Sequence, residues 1–355
     1  MPITLACVQL AVADYDILIA GAGPSGAVAA CLLARSGKKV GVIDNIDDKA
    51  HKIGESLPQD GAQLLQRLDL PFPQTNGPHT EISGTHSIWG NEDFYQDAFN
   101  TPGGGGWRLD RPKFDQELRW AAADAGATFI NSFVNTVSKH GNLFQIETAT
   151  HPPLSCHQLI DATGRRAKPA RQLGATQHAD SPLIATWAIT QPQQNNNCSR
   201  TLIESDADGW WYAAVLPNGE QLAIFHSTPA IAAKLTKTPS LWRSKLGASK
   251  ISKQLMTHHF EKSKLYRADA RGLYLDMPAG PGWFACGDAA LSFNPLASQG
   301  IYNAIATAAT AATLITSADY PDSAQHNYRA HIEAIRETYL QQLAEFERRR
   351  LDKVH

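Results

Sequence analysis

Residues 16–44 read D-I-L-I-A-G-A-G-P-S-G-A-V-A-A-C-L-L-A-R-S-G-K-K-V-G-V-I-D, and this stretch decides the fold. Asp16–Ala20 is a short apolar run of the kind that forms a strand buried on both faces. It meets Gly21-Ala22-Gly23-Pro24-Ser25-Gly26, then an Ala/Leu-rich helical run to Arg35 that Gly37 closes. Lys39–Ile43 is a second apolar strand, ending at Asp44. The whole is a βαβ unit with G-x-G-x-x-G at its turn and an acid roughly 20 residues on. Gly21 permits the tight turn, Gly23 lets backbone approach a diphosphate, and Gly26 lets helix and strand pack closely. The helix start at Pro24 and Ser25 offers unpaired N–H groups and about half a positive charge. Asp44 would accept from a ribose 2′-OH and would repel a phosphate at the same place. An adenine dinucleotide is the expected ligand.

Working outward, 355 residues suit two domains or one with a large insert. Lys+Arg 32 against Asp+Glu 34 leaves no basic excess, which argues against a general nucleic-acid binder. The five cysteines are scattered without metal or redox spacing, so a reduced, cytoplasmic protein without a structural metal is expected. Ile17–Ala34 lacks formal charge over nearly a membrane-span length, but its glycines and Pro24 break it into strand, turn and helix; no membrane insertion is expected.

A nicotinamide dehydrogenase would continue directly with more βα units, whereas here three signals follow at long separations. Arg111-Pro112-Lys113-Phe114-Asp115 leads into a helix read as Phe114 to Ala125, Leu159–Gly164 is a strand ending in D-x-x-G at Asp161 and Gly164, and Trp283–Ala290 carries Gly287-Asp288. Asn294–Gly300 then leads through Pro295, Gln299, Gly300 and Ile301 into an Ala/Thr-rich helix. Gly287-Asp288 offers close-packed backbone with a carboxylate suited to a ribityl hydroxyl. The helix start after Pro295 would stabilise negative charge on a flavin ring.

In that order the motifs resemble the FAD-dependent monooxygenases of the p-hydroxybenzoate hydroxylase clan, which also holds the tryptophan halogenases and geranylgeranyl reductases. The resemblance implies an α/β fold: a Rossmann-like (GR2-type) FAD-binding domain, a β-sheet-rich substrate region and a C-terminal helix. It also implies FAD as cofactor, NADPH or NADH as transient reductant, and oxygen transfer from dioxygen to an electron-rich ring. In the clan the arginine matching Arg111 reaches the flavin diphosphate region, and Arg108 is an alternative for that task. Gly54-Glu55-Ser56-Leu57-Pro58 is similar to a halogenase segment lying against the flavin. Gly209–Pro217 (G-W-W-Y-A-A-V-L-P) resembles the halogenase W-x-W-x-I-P region, with adjacent tryptophans. No convincing counterpart of the halogenases' lysine is found, since Lys49, Lys52 and Lys113 lie in motif flanks. Together the two segments resemble the LodB/GoxB-type maturation flavoproteins of quinone-cofactor enzymes. That implies hydroxylation of a tryptophan in a partner protein, the precursor of an amino-acid oxidase that acquires cysteine tryptophylquinone. A small-molecule aromatic hydroxylase, a geranylgeranyl-type reductase and a flavin-bearing chaperone remain alternatives.

Glu55, Trp211 and Pro295 stand as candidates for positioning flavin and substrate; adjacent strand residues face opposite ways, so at most one of Trp210 and Trp211 lines a cavity. Glu55 and Ser56 also join the cofactor set. His226 has no assigned role. The flavin domain is expected at 14–74, 107–173 and 266–317, the substrate region at 75–106 and 174–265, and a C-terminal helix at 318–355. In that helix Tyr328, Ile332, Ile335, Tyr339, Leu343 and Phe346 form one amphipathic stripe. Gly103–Gly106 reads as a mobile loop and Gln191–Asn197 as a polar surface turn.

Overall fold

The computed structural model describes residues 13–46, 53–98, 104–191, 198–255, 257–317 and 321–351. Gly103, residues 192–197 and the two lysines at 49 and 52 lie outside them. Five parallel strands run side by side in the order Trp283–Ala285, Leu154–Asp161, Tyr15–Ala20, Val40–Asp44 and Thr128–Asn131. Ala279–Gly280 and the hairpin Val134–His140/Leu143–Thr148 add antiparallel strands, making a sheet of eight. Ile17, Leu18 and Ile19 are buried because both faces of the central strand are covered, as their unbroken apolar run requires.

Helix Pro24–Arg35 lies against helices Arg111–Asp124 and Gly300–Ser317 and is buried along nearly its whole length, which explains why its sequence is apolar all round. Helix Arg111–Asp124 starts ahead of Phe114, where the sequence reading began it. The Asp110 side chain accepts from the Lys113 N–H, and Pro112 sits in the first turn, where no amide hydrogen is needed.

The second sheet has seven strands, in the order Tyr266–Asp269, Ile184–Ile189, Gln221–Ser227, Gly209–Val215, Arg200–Asp206, Gly84–Trp89 and Glu92–Asp97. All neighbours are antiparallel except Arg200–Asp206 with Gly84–Trp89. Trp211, Phe225 and Ala213 pack on one face with Trp242, Leu246 and Leu235 from helices Pro229–Lys237 and Pro239–Ala248. The other face carries Trp187, Trp210, Tyr212 and Ile224.

Helix Pro321–Leu351 reaches both sheets. The Tyr328 hydroxyl donates to the Ala285 carbonyl at 2.6 Å and Arg329 Nε to the Ala279 carbonyl at 2.7 Å, both in the eight-stranded sheet. Trp89 Nε1 of the seven-stranded sheet donates to the Phe346 carbonyl at 2.8 Å. Tyr328, Ile332 and Tyr339 of the sequence stripe are buried by this packing. Among the described residues no helix is long and apolar enough to cross a membrane.

Candidate functional site

Parallel pairing brings the separated motifs together. Ala20, Asp161 and Ala285 pair in one row across three neighbouring strands, so the turns that follow them open at the same edge of the sheet. That edge is where open α/β sheets bind ligands. A cleft of about 430 Å³ lies there, between the eight-stranded sheet and the face of the seven-stranded one that carries Tyr212 and Ile224.

The first wall is made by the turns. Gly23, Pro24, Ser25, Arg111, Gly164, Arg165 and Asp288 line it, with Asn294, Pro295, Gln299, Gly300 and Ile301 from the start of the long helix. Arg111 Nη1 donates to the Gly54 carbonyl at 2.6 Å, and the same guanidinium pairs with Asp115 at 3.2 Å; these bonds aim it across the cleft mouth. Asn294 caps its short turn by accepting from the Leu296 N–H, and its own N–H donates to the Tyr339 hydroxyl at 3.1 Å. The C-terminal helix thus holds the loop that carries Pro295.

Gly21 and Gly26 stay out of the cleft and serve packing. A Cβ on Gly21 would meet the Ala162 carbonyl oxygen at 2.2 Å, and one on Gly26 would meet the Gly21 oxygen at 1.9 Å. Gly21 also has φ +104°, a backbone that only glycine holds without strain. Gly287, at φ +60°, lets its loop lie on Ser25. Asp44 is not among the lining residues; its Oδ2 accepts from the Ala22 N–H at 2.7 Å and so ties the second strand to the glycine turn.

Two sequence expectations are corrected by these contacts. Asp161 does not face the cleft: its Oδ1 accepts from the Thr163 backbone and hydroxyl, and its Oδ2 from the Ala170 N–H. Both oxygens hold the D-x-x-G turn in shape. Burial raises the Asp161 pKa, and the Ala170 and Thr163 donors oppose that rise. Arg108 does not reach the first wall either. It is buried behind the second, where Nη1 donates to Ser56 Oγ at 2.6 Å and to the Tyr212 hydroxyl, and Nη2 to Thr201 Oγ1 at 2.9 Å.

The second wall comes from the seven-stranded sheet and the segment Ile53–Ser56. Its lining combines apolar Ile53, Ala185, Ile224, Ala268 and Ala270 with Glu55, Ser56, Tyr212, His226 and Asp269 as polar members. Trp211 is a third correction. It points to the opposite face, fully buried against Phe225 and Trp242, because strand residues alternate sides. Its neighbours on either side face the cleft side instead: Tyr212 lines the cleft, and Trp210 stacks on His226 with ring centroids 3.7 Å apart. The signal for Tyr212 was present in that alternation. For His226, Ala185, Ile224 and the alanines at 268 and 270 no local motif exists.

Burial governs the electrostatics of this wall. His226 is driven down to about 3 by desolvation, only partly opposed by the Trp210 backbone, so it is a neutral imidazole at pH 7. Its Nδ1 has no hydrogen-bond partner among the described residues. Burial also raises the Tyr212 pKa against the pull of the Arg108 cation, which keeps the phenol protonated. Ser56 Oγ and the Tyr212 hydroxyl are 3.0 Å apart, and both accept from Arg108. Of their two hydroxyl hydrogens one serves this mutual bond, which leaves one to donate into the cleft.

Against this geometry, known proteins fall into place. A model of the FAD binding domain family matches residues 14–55. The chain is 29% identical over 309 residues to the putative FAD-dependent oxidoreductase LodB of Marinomonas mediterranea, a match covering 83% of each. Its fold is that of the flavin-dependent halogenase CmlS (TM-score 0.81, 20% identity, 94% of this chain and 64% of that one). It is equally that of QhpG, described as a peptidyl tryptophan dihydroxylase essential for tryptophylquinone cofactor biogenesis (TM-score 0.78, 21% identity, 96% and 77%). These likenesses make the chain an FAD-dependent oxidoreductase whose fold is shared with the flavin-dependent halogenases.

The residues of this flavin oxidoreductase suit the cofactor on physical grounds. A Cβ built on Gly23 would meet nothing within 4 Å, so bare backbone faces open space at the start of helix Pro24–Arg35, as a diphosphate needs. The Asp288 carboxylate lines the cleft and has no protein hydrogen bond among the described residues. Desolvation raises its pKa, offset by the Arg165 and Arg111 cations, and a hydroxyl-bearing ligand would satisfy it.

Proposed function

We propose that this oxidoreductase hydroxylates a tryptophan side chain carried by a protein, the precursor of a quinone-cofactor amino-acid oxidase. One observation carries the reading: the second wall is an apolar slot floored by small residues, Ala185, Ala268 and Ala270, beneath a neutral histidine and a hydrogen-bonding tyrosine. A flat, electron-rich ring fits such a slot with little polar desolvation. The likeness to LodB across most of both chains supports it, and so does the shared fold with QhpG.

In this reading Gly23, Pro24 and Ser25 hold the FAD diphosphate with Arg111, Asp44 takes the ribose, Asp288 the ribityl chain, and Gln299, Gly300 and Ile301 the ring. When bound and reduced by NADPH or NADH, the flavin supplies one oxygen atom of dioxygen to the substrate, the other leaving as water. The chain's own groups do the remaining work. The alanine-floored slot orients the ring, since a small displacement of reacting atoms costs rate steeply. Ile53, Ile224 and the alanines keep water away. Ser56 and Tyr212, backed by Arg108, present one O–H to charge developing on oxygen. Glu55 and Pro295 fix the edges of the space into which flavin and substrate must both fit.

Co-expression with a quinoprotein precursor, followed by mass spectrometry of the precursor, tests the proposal. A gain of one oxygen atom per modified tryptophan is expected. An unchanged precursor in the presence of bound FAD and reductant would overturn it; turnover of free phenols or indoles instead would identify a small-molecule hydroxylase.

A further inference from the structure

A second hollow of about 830 Å³ lies beside the cleft on the same face of the seven-stranded sheet. Its floor is aromatic and apolar: Trp187 and Tyr266 stack with centroids 4.6 Å apart, next to Ile189. Its rim carries both signs of charge, Lys262 and Lys264 with Glu220 and Glu261. The two spaces share one pair of strands in register. Ala185 is paired with Ala268 and lines the cleft, whereas Trp187 is paired with Tyr266 and lines the hollow. The offset is two residues along each strand, about 7 Å at strand pitch, and residues two apart share a face.

We infer that the hollow is a second binding site, one that takes the side chain two residues away from the target ring on an extended peptide of the substrate protein. An extended chain repeats its side-chain direction every second residue, about 7 Å apart, which matches the step from Ala185 to Trp187 and from Ala268 to Tyr266. A single aromatic molecule seated in the cleft would leave the stacked floor empty. The mixed rim suits a peptide backbone: the ammonium groups of Lys262 and Lys264 would donate to carbonyl oxygens, and the carboxylates of Glu220 and Glu261 would accept from amide hydrogens. The site rests on the protein-borne ring proposed above and adds to it a length and a register: apolar side chains are selected at the positions two away from the tryptophan, and not at its immediate neighbours, which point away from the sheet.

The FAD-loaded protein is titrated with N-acetyltryptophanamide and with nonapeptides bearing a central tryptophan in an alanine–serine background, read through the flavin absorbance. Leucine at both positions two residues from the tryptophan is expected to tighten binding roughly tenfold over glycine there, against less than about twofold for the same change at the adjacent positions. Tyr266→Ser, at a position already 43% exposed, is expected to erase that preference and leave N-acetyltryptophanamide binding unchanged. Equal binding of the leucine and glycine peptides, or a Tyr266→Ser loss shared by the amide, overturns the second site while the tryptophan reading stands. A flavin that responds to none of these ligands overturns both.

Discussion

The two walls of the cleft are built on opposite principles. On one side, turns at the ends of parallel strands present bare backbone, a helix N-terminus, two guanidinium groups and an unpaired carboxylate. On the other, an antiparallel sheet presents alanines, isoleucines, a neutral histidine and a tyrosine held by a buried arginine. The first is polar and made largely of main chain, so it suits a ligand whose recognisable parts are phosphate and sugar. The second is made of side chains, so it is where a ring is chosen and aligned. A flavin enzyme can keep the one and vary the other, which accounts for a fold shared with halogenases at 20% identity.

The contrast can be broken or sharpened by substitution. The largest effect is expected within one strand. Trp211→Ala should cost about 3–5 kcal/mol of unfolding free energy, because it empties a site in the core behind the sheet. The flavin spectrum of the protein that remains folded should be unchanged; a denaturant melt beside an absorbance spectrum checks both. A perturbed flavin would place Trp211 in the site after all.

Next come the glycines of the first wall, which should separate fold from ligand. Gly26→Ala drives a Cβ to 1.9 Å from a backbone oxygen and should cost on the order of 3 kcal/mol or prevent folding. Gly23→Ala meets nothing and should leave apoprotein stability within about 0.5 kcal/mol. Yet it should weaken FAD binding at least roughly tenfold, as measured by equilibrium dialysis. Gly23→Ala protein that binds flavin normally would remove that turn from the diphosphate site.

The second wall should declare itself through pH. The folded pKa of His226 is depressed to about 3, while the unfolded chain takes up its proton near the ordinary 6.5. Its contribution is therefore fully present above pH 6.5 and is lost as pH falls from there toward 3. Between pH 7 and pH 5 the loss attributable to this residue should be about 2 kcal/mol. His226→Phe, which keeps the stack on Trp210, should flatten the profile by that amount relative to the parent. His79, also depressed by burial, should continue to give an acid slope in both proteins.

Among the side chains of the second wall the smallest stability effect is expected at Tyr212→Phe, about 1–2 kcal/mol, since one acceptor of the buried Arg108 is lost while Ser56 and Thr201 remain. Its mark should be functional: hydroxylation slows while FAD affinity holds. A variant as active as the parent would reduce the hydroxyl pair to a structural role.

How far the site can be read in advance follows the same division. Gly21, Gly23 and Gly26 are legible because each has a local duty within one βαβ unit, and the carbonyl oxygens that a Cβ on Gly21 or Gly26 would strike are set by that unit and its neighbouring strand. Asp161 was legible as a strand end but not as a turn-holder, because its choice between ligand and the donors of Thr163 and Ala170 depends on where helix Lys168–Gln172 folds back. Arg108 and Arg111 are three residues apart and look interchangeable in the chain. One lies in a strand and turns inward to Tyr212, whereas the other opens a helix and lines the cleft.

By itself, then, the chain determined the dinucleotide turn, the order of the flavin motifs and the helical tail, since these rest on periodicity, glycine geometry and capping over spans of a few residues. Tertiary structure alone decided which side of Gly209–Val215 faces the cleft, and that Ala185, Ile224, His226 and Ala268 share one surface. Side-chain alternation allows either face of a strand to be the inner one. Only the helices that cover Trp211 and the register that aligns four distant strands resolve the choice.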